Sequence, residues 1–219
     1  MTIKFCVGNV NPGEVRAEFM HGMMDLVQNP TLGDCEFQGY YTKSPSGPYL
    51  DVARNFVVQR FLETDADVLL FIDSDIEFSR ESVEHVVEHC HPETVNGGFY
   101  VSAFPGKGIR PVAFDWDENN ILHPIEMPAD DGPYGADVDV VGTGFMAIHR
   151  DTLNAMIPIY GYPSPWFAEE VMHGSAMGED VTFCQRVIYG LGCDVVIDFQ
   201  APVDHIKPIK LTPTTRIEQ

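Results

Sequence analysis

Val68-Leu69-Leu70-Phe71-Ile72-Asp73-Ser74-Asp75 is an unbroken apolar run that ends in two carboxylates at i and i+2. In extended backbone that spacing sets Asp73 and Asp75 on the same side, beyond the strand, where they can share one cation. A continuously apolar strand reads as the centre of a sheet covered on both faces. In open α/β sheets, ligands collect at the carboxyl ends of such strands. Taken alone, Asp-x-Asp reads first as a strand followed by an Asp-rich turn that caps the next helix, and it is the motifs farther along the chain that turn the reading toward a shared cation.

Working outward, the pattern predicts alternating strands and helices. A short strand over residues 3–7 leads through a turn-rich stretch into a helix over 14–27, followed by a second strand over 35–41. The apolar spacing of Leu50, Ala53, Phe56, Val57 and Phe61 predicts an amphipathic helix over 50–64 that feeds the acidic strand. Ser79 is a plausible N-cap for a helix over 81–89. This βαβαβ order implies right-handed crossovers and a largely parallel sheet.

The second half is more irregular. Strands are expected over 95–101 and 112–116, with a turn at Asp117-Glu118-Asn119-Asn120 returning the chain into 121–125. Residues 127–135 read as loop, and 138–149 as one strand interrupted by Gly142 and Gly144, where a backbone or ligand approaches closely. A Pro- and aromatic-rich loop ending at Trp166-Phe167 precedes Gly178-Glu179-Asp180. A helix over 181–189, closed by Gly190 and Gly192, a strand over 195–199, and a Pro-punctuated tail after Asp204-His205 complete the reading.

Composition bounds the function. With 219 residues, 44% of them hydrophobic, the chain can bury the core of one large domain. No apolar stretch is long enough to span a bilayer and the first residues lack a signal-peptide pattern, so a cytoplasmic protein is the default. Cys6, Cys35, Cys90, Cys184 and Cys193 form no CxxC pair, consistent with reduced, packed thiols. The 33 acidic residues against 13 basic ones give a net charge of −20, which argues against general nucleic-acid binding without excluding a local basic patch. The same excess suits a salty milieu or a cation-dependent site.

The order of short motifs resembles the glycosyltransferases of the GT-A fold, particularly small family-2-like members of bacteria and phages. The resemblance runs from residue 50 to 208. It rests on Ala53-Arg54-Asn55, Phe71-Ile72-Asp73-Ser74-Asp75, Gly97-Gly98-Phe99-Tyr100, Val141 to Met146, Pro165-Trp166-Phe167, the Gly178-Glu179-Asp180 stretch and Asp204-His205. It implies a single GT-A-like α/β domain over 1–219, with a mostly parallel central sheet flanked by helices. Residues 1–100 would form the nucleotide-binding half and the irregular residues 101–219 the acceptor half.

The implied activity is metal-dependent transfer of a sugar from a nucleotide-sugar donor, a UDP-sugar for preference, to a hydroxyl acceptor. Breaking the anomeric bond leaves charge on a diphosphate, which a divalent cation neutralises, and hard oxygen ligands suit Mn2+ or Mg2+. The resemblance assigns the metal to Asp73 and Asp75, with Asp73 also a candidate for ribose contact. His205 stands where related enzymes often supply a third ligand; as a lone histidine near a Pro-rich tail it reads equally as a surface residue. In an inverting transfer a carboxylate takes the acceptor proton opposite the leaving group. Asp180 is the first candidate, with Glu179 binding an acceptor hydroxyl or exchanging roles with it; both also suit a helix N-terminus. Gly8, Asn9, Asn11 and Arg54 are candidates for the nucleotide. Alternatively, Gly8, Asn9 and Asn11 make a plain turn and Arg54 supports the sheet edge. Trp166 and Phe167 read as acceptor platform or local core, and His173 as a residue of the acceptor pocket.

Other readings stay open. They are a retaining glycosyltransferase, including one acting on modified phage DNA bases, a sugar-phosphate nucleotidyltransferase, and a non-catalytic metal- or carbohydrate-binding protein. The nucleotidyltransferase would be expected to carry a Gly-rich phosphate loop with basic residues after the first strand, which Gly8-Asn9-Val10-Asn11-Pro12-Gly13-Glu14 does not supply.

Overall fold

A computed structural model describes residues 2–11, 13–44, 49–104, 106–127, 135–161 and 165–207. The tail beyond Lys207, most of the loop expected over 127–135, and part of the Pro-rich loop before Trp166 lie outside the described residues.

Eight strands form the main sheet: β1 (Ile3–Val10), β2 (Thr31–Leu32), β3 (Cys35–Lys43), β4 (Val68–Ile72), β5 (Thr94–Phe99), β6 (Gly135–Asp137), β7 (Phe145–His149) and β8 (Asp194–Pro202). Their spatial order is β6-β8-β5-β7-β4-β1-β3-β2. Among the described residues five α-helices accompany them, α1 (Ala17–Gln28), α2 (Leu50–Leu62), α3 (Arg80–Glu88), α4 (Arg150–Tyr160) and α5 (Glu179–Arg186), the last continued by a π-helical turn over Val187–Leu191.

The sheet is mixed, which corrects the expectation of a mostly parallel one. β3-β1-β4 and β5-β8 pair in parallel, whereas β7 runs antiparallel to both β4 and β5. The cause lies in the segment read from sequence as one strand over 138–149. Val140–Val141 pairs instead with Ala113–Trp116 in a small separate sheet, which also holds Leu122–Pro124. The chain therefore enters β7 at the carboxyl end of β4, where Gly144 O accepts from Asp73 N at 2.9 Å, and must run back down. Periodicity reports burial and is blind to strand direction.

Strand β4 is covered on both faces, as an unbroken apolar run requires. Val68, Leu70 and Ile72 join α1 and α3 side chains such as Phe19, Leu26, Val83 and Val86 in one core. Leu69 and Phe71 join α2, α4 and α5 in the other, with Val57, Phe61, Leu153, Met156 and Phe183. Helix α1 thus lies on one face and α2 on the other, so the chain switches sides around β1 and opens a crevice at the carboxyl ends of β1 and β4. Helix α4 was not anticipated from sequence. Its first residue, Arg150, donates to the carbonyls of Phe61, Leu62, Thr64 and Ala66 and so closes the end of α2.

All five cysteines are free and buried. Burial pushes the Cys6 thiol up to about 11 and those of Cys35 and Cys184 to about 12, so they stay protonated and inert at neutral pH.

Candidate active site

The crevice has a volume of about 280 Å³ and is lined by Val10, Glu14, Arg16, Leu50, Arg54 and the Asp73–Asp75 segment. Its floor is the end of β4. Asp73 N is held by Gly144 O, and Asp73 O accepts from Ile76 N at 3.1 Å, which turns the chain sharply after the strand. Gly142 and Gly144 make room for the ring of Tyr100: a Cβ on either would stand 2.3 or 2.7 Å from its hydroxyl oxygen. That hydroxyl accepts from Gly144 N at 3.2 Å. Burial first, then the charges of Asp73 and Asp180, drives the Tyr100 phenol above its usual range, so it stays neutral beneath the site.

Arg54 is the hub of the crevice. Only 4% of its side chain is exposed, and it bonds Asp73 Oδ1 through Nη2 at 3.3 Å and Glu179 Oε1 through Nε at 3.1 Å. Burial alone would lower its pKa; the carboxylates of Asp73 and Glu179 outweigh that and raise it. Its Nη1 is buried and, among the described residues, has no hydrogen-bond partner. The next residue, Asn55, clasps the backbone of Phe167 by donating to its carbonyl at 2.7 Å and accepting from its N–H at 3.2 Å. Two consecutive helix residues thereby fix α5 and the aromatic loop against β4.

Asp180 follows Glu179 at the start of α5 and is half-buried. Its Oδ1 accepts from Val181 N at 2.8 Å. Burial raises the pKa of its carboxyl, and the negative charge of Glu179 raises it further, against the opposing pull of that N–H and of Arg54. A carboxylate of raised basicity beside the Arg54 guanidinium, which lines the crevice, has the character of a general base.

Asp75 sits in the opposite electrostatic setting. After β8, Asp204–His205 pairs antiparallel with Ile76–Glu77, and Ile206 N donates to Asp75 O at 2.8 Å. This ladder sets His205 Nε2 at 3.4 Å and Lys207 Nζ at 2.7 Å from Asp75 Oδ2. The His205 contact, with Lys207 behind it, holds the Asp75 carboxyl well below the usual carboxylate range. Stability from Asp75 is therefore present above the ordinary carboxylate pKa and is lost as pH falls through its depressed value. In His205→Ala the Asp75 pKa should rise toward the ordinary range, measurable from its side-chain carbon shift in an NMR pH titration; an unmoved midpoint would assign the depression to Lys207 alone.

The remaining sequence candidates divide clearly. Asp73, Asp75, Arg54, Glu179, Asp180 and His205 come together around the carboxyl end of β4, although Asp73 faces Arg54 while Asp75 faces His205 and Lys207. Gly8 is packed in the core, where a Cβ would stand 2.6 Å from Val57 Cγ1. Asn9 is fully buried and donates to Ile72 O at 2.6 Å, bracing β4 from β1. Asn11 Oδ1 accepts from Gly13 N at 2.8 Å in the turn that follows β1. Trp166 and Phe167 are core: the indole donates to Leu153 O at 2.8 Å, and the Phe167 ring stacks on Phe183 at 4.6 Å. His173, at φ 52° in a hairpin turn, meets the edge of Trp116. Arg16 and Lys207 were missed. Their signal was scarcity, since a basic residue in a chain of net charge −20 stands out.

No family model matches this sequence, and no curated protein matches it. Solved structures do. The chain superposes on A197 from STIV with a TM-score of 0.59 at 21% identity, covering 100% of this chain and 99% of that one. It superposes on GalNAc-T7, solved with UDP, GalNAc and Mn2+, with a TM-score of 0.63 at 11% identity; 98% of this chain spans 45% of that one. The overall α/β fold is thus shared with both structures, GalNAc-T7 being a glycosyltransferase, and the likeness is one of fold alone.

Proposed function

We propose that the protein is a metal-dependent glycosyltransferase that moves a sugar from a nucleotide-sugar donor, a UDP-sugar for preference, to a hydroxyl acceptor with inversion. The observation that carries this reading is the pairing of Asp204–His205 with Ile76–Glu77, which delivers an imidazole and an ammonium to Asp75 at the mouth of the crevice. A position where Lys207 already neutralises a carboxylate at 2.7 Å is one that accepts a cation. Asp75 oxygen and His205 nitrogen form a donor set suited to Mn2+ ahead of Mg2+, with Asp73 able to join on release from Arg54.

A divalent ion held there would supply charge neutralisation to the departing diphosphate. The half-buried Arg16 offers a further donor for phosphate oxygens along the crevice. Glu179 is committed to Arg54, so its role is to position the guanidinium and the start of α5. Asp180 takes the proton of the acceptor hydroxyl as that oxygen attacks the anomeric carbon. GalNAc-T7, with its UDP and Mn2+, supports the same donor class for the shared fold. Of the two halves, residues 1–100 would bind the donor and residues 101–219 would shape the acceptor side.

The test is calorimetric. UDP should bind at least tenfold more tightly with Mn2+ than with EDTA, and Asp75→Asn should erase that difference while the fold survives. Equal affinity with and without the metal would sink the reading.

A further inference from the structure

Away from the crevice, among the described residues, one group of three histidine, cysteine or acidic side chains brings its ligand atoms all within 4.8 Å of one another: His85, His89 and Asp198. His85 lies in the last turn of α3, His89 is the residue that caps it, and Asp198 belongs to β8. In the sheet order β8 is three strands from β4, so this cluster is separate from Asp75 and His205.

The hydrogen bonds around the two rings decide their tautomers. His85 Nδ1 lies 2.7 Å from Asp198 Oδ2, and an ionised carboxylate only accepts, so Nδ1 carries the proton. His89 Nδ1 lies 2.8 Å from His85 O, and a carbonyl also only accepts, so this ring too is protonated at Nδ1. In both rings Nε2 is left with a free lone pair. The rings stack with centroids 4.3 Å apart and planes 28° from parallel, as the i, i+4 spacing on one helix face allows. Two parallel imidazoles, each with Nδ1–H tied to an oxygen and Nε2 free, present the arrangement in which a carboxylate or carbonyl behind a histidine orients it toward a metal.

The carboxylate behind His85 fits the same purpose. Asp198 is 5% exposed; its Oδ1 accepts from Gln200 N at 2.9 Å and its Oδ2 also faces Asn96 Nδ2 at 3.5 Å. No lysine or arginine pairs with it among the described residues, and a buried negative charge is costly without a cation nearby. The Oδ1 of the adjacent Asn96 is itself buried without a partner.

We propose that His85 and His89, with Asp198 held behind His85, form a binding site for a divalent transition ion of the Zn2+ class. Two imidazole nitrogens select such an ion over Mg2+ or Ca2+, and the carboxylate of Asp198 behind His85 strengthens that ligand. Nitrogen ligands of tetrahedral zinc sit about 3.4 Å apart for metal–nitrogen bonds of about 2.05 Å, so binding needs the exposed His89 ring to turn out of its stack on His85, giving up its bond to His85 O, until the two lone pairs converge on one ion. The bound ion would tie the end of α3 to β8.

The experiment titrates Zn2+ into the whole chain in buffer containing saturating Mg2+, by calorimetry and with Co2+ absorption as a second readout. It uses the wild type and an Asp75→Asn/His205→Ala variant, which removes the crevice ligands. The crevice variant should bind one equivalent, with the visible absorption of a nitrogen-ligated site in the Co2+ form, and the wild type should bind that equivalent in addition to any ion taken by the crevice. His89→Ala, at an exposed position bonded only to backbone, should abolish that binding, and Asp198→Asn should weaken it about ten- to a hundredfold. The proposal is overturned by absence of binding in wild type, by a titration unchanged in His89→Ala, or by loss of all binding in the crevice variant. None of these outcomes bears on whether UDP binding needs metal at Asp75.

Discussion

Asp180→Asn is expected to lower glycosyl transfer about a hundred- to ten-thousandfold while leaving UDP affinity near wild type. The substitution keeps the shape of the side chain and its bond from Val181 N, and it removes the basicity that an inverting attack needs. Its effect on stability has a defined sign. Burial, then Glu179, raises the folded-state pKa of Asp180, so stability from its protonated form is full below the ordinary carboxylate pKa and is lost as pH rises through the raised value. Asn mimics the neutral form, so the variant should melt higher than wild type at pH 7 and alike at pH 3. The acid limb of the wild-type pH–rate profile should lie above the ordinary carboxylate range for the same reason. Full turnover in the variant, or a product that keeps the donor's anomeric configuration, would remove Asp180 from the base role and favour retention.

What was legible in the sequence follows from the range of the interactions. Strand β4 and its two aspartates could be read because five consecutive apolar residues dictate burial on both faces without reference to any other segment. The hairpin turn at Asp117 could be read because it is local: its Oδ1 accepts from Asn119 N and Ile121 N, and Asn120 takes φ 58°. The environment of Asp75 could not, since it is made by residues about 130 positions later through a two-residue ladder that carries no periodic signature. The same holds for Arg54, whose apolar helix neighbours give no hint that the guanidinium is sealed between β4 and α5. Trp166 and Phe167 show the converse case. Their Pro-rich setting allowed a surface platform, but Asn55 clamps Phe167 into the core by two hydrogen bonds to its backbone, and Trp166 is held there by its indole N–H to Leu153 O.

Arg54→Met is expected to destabilise the protein by about 3 to 5 kcal/mol at neutral pH, because it strands Asp73 and the buried Glu179 without their cation. Methionine fills much of the same volume, although it gives up the guanidinium that lies over the Phe71 ring, 5.3 Å from its centroid. The loss is therefore one of charge pairing rather than of a cavity. Arg54→Lys keeps the charge and cannot reach both carboxylates with one forked group, so it should fall between the two. A double-mutant cycle with Glu179→Gln separates the pair from the rest: the second substitution should recover part of the stability lost in Arg54→Met, since it removes one uncompensated buried charge. Denaturant midpoints at pH 7 provide the measurement. Stability of Arg54→Met within 1 kcal/mol of wild type would mean that Asp73 and Glu179 find other compensation. In that case a divalent ion bound at Asp73 is the first alternative to examine, by repeating the unfolding with EDTA.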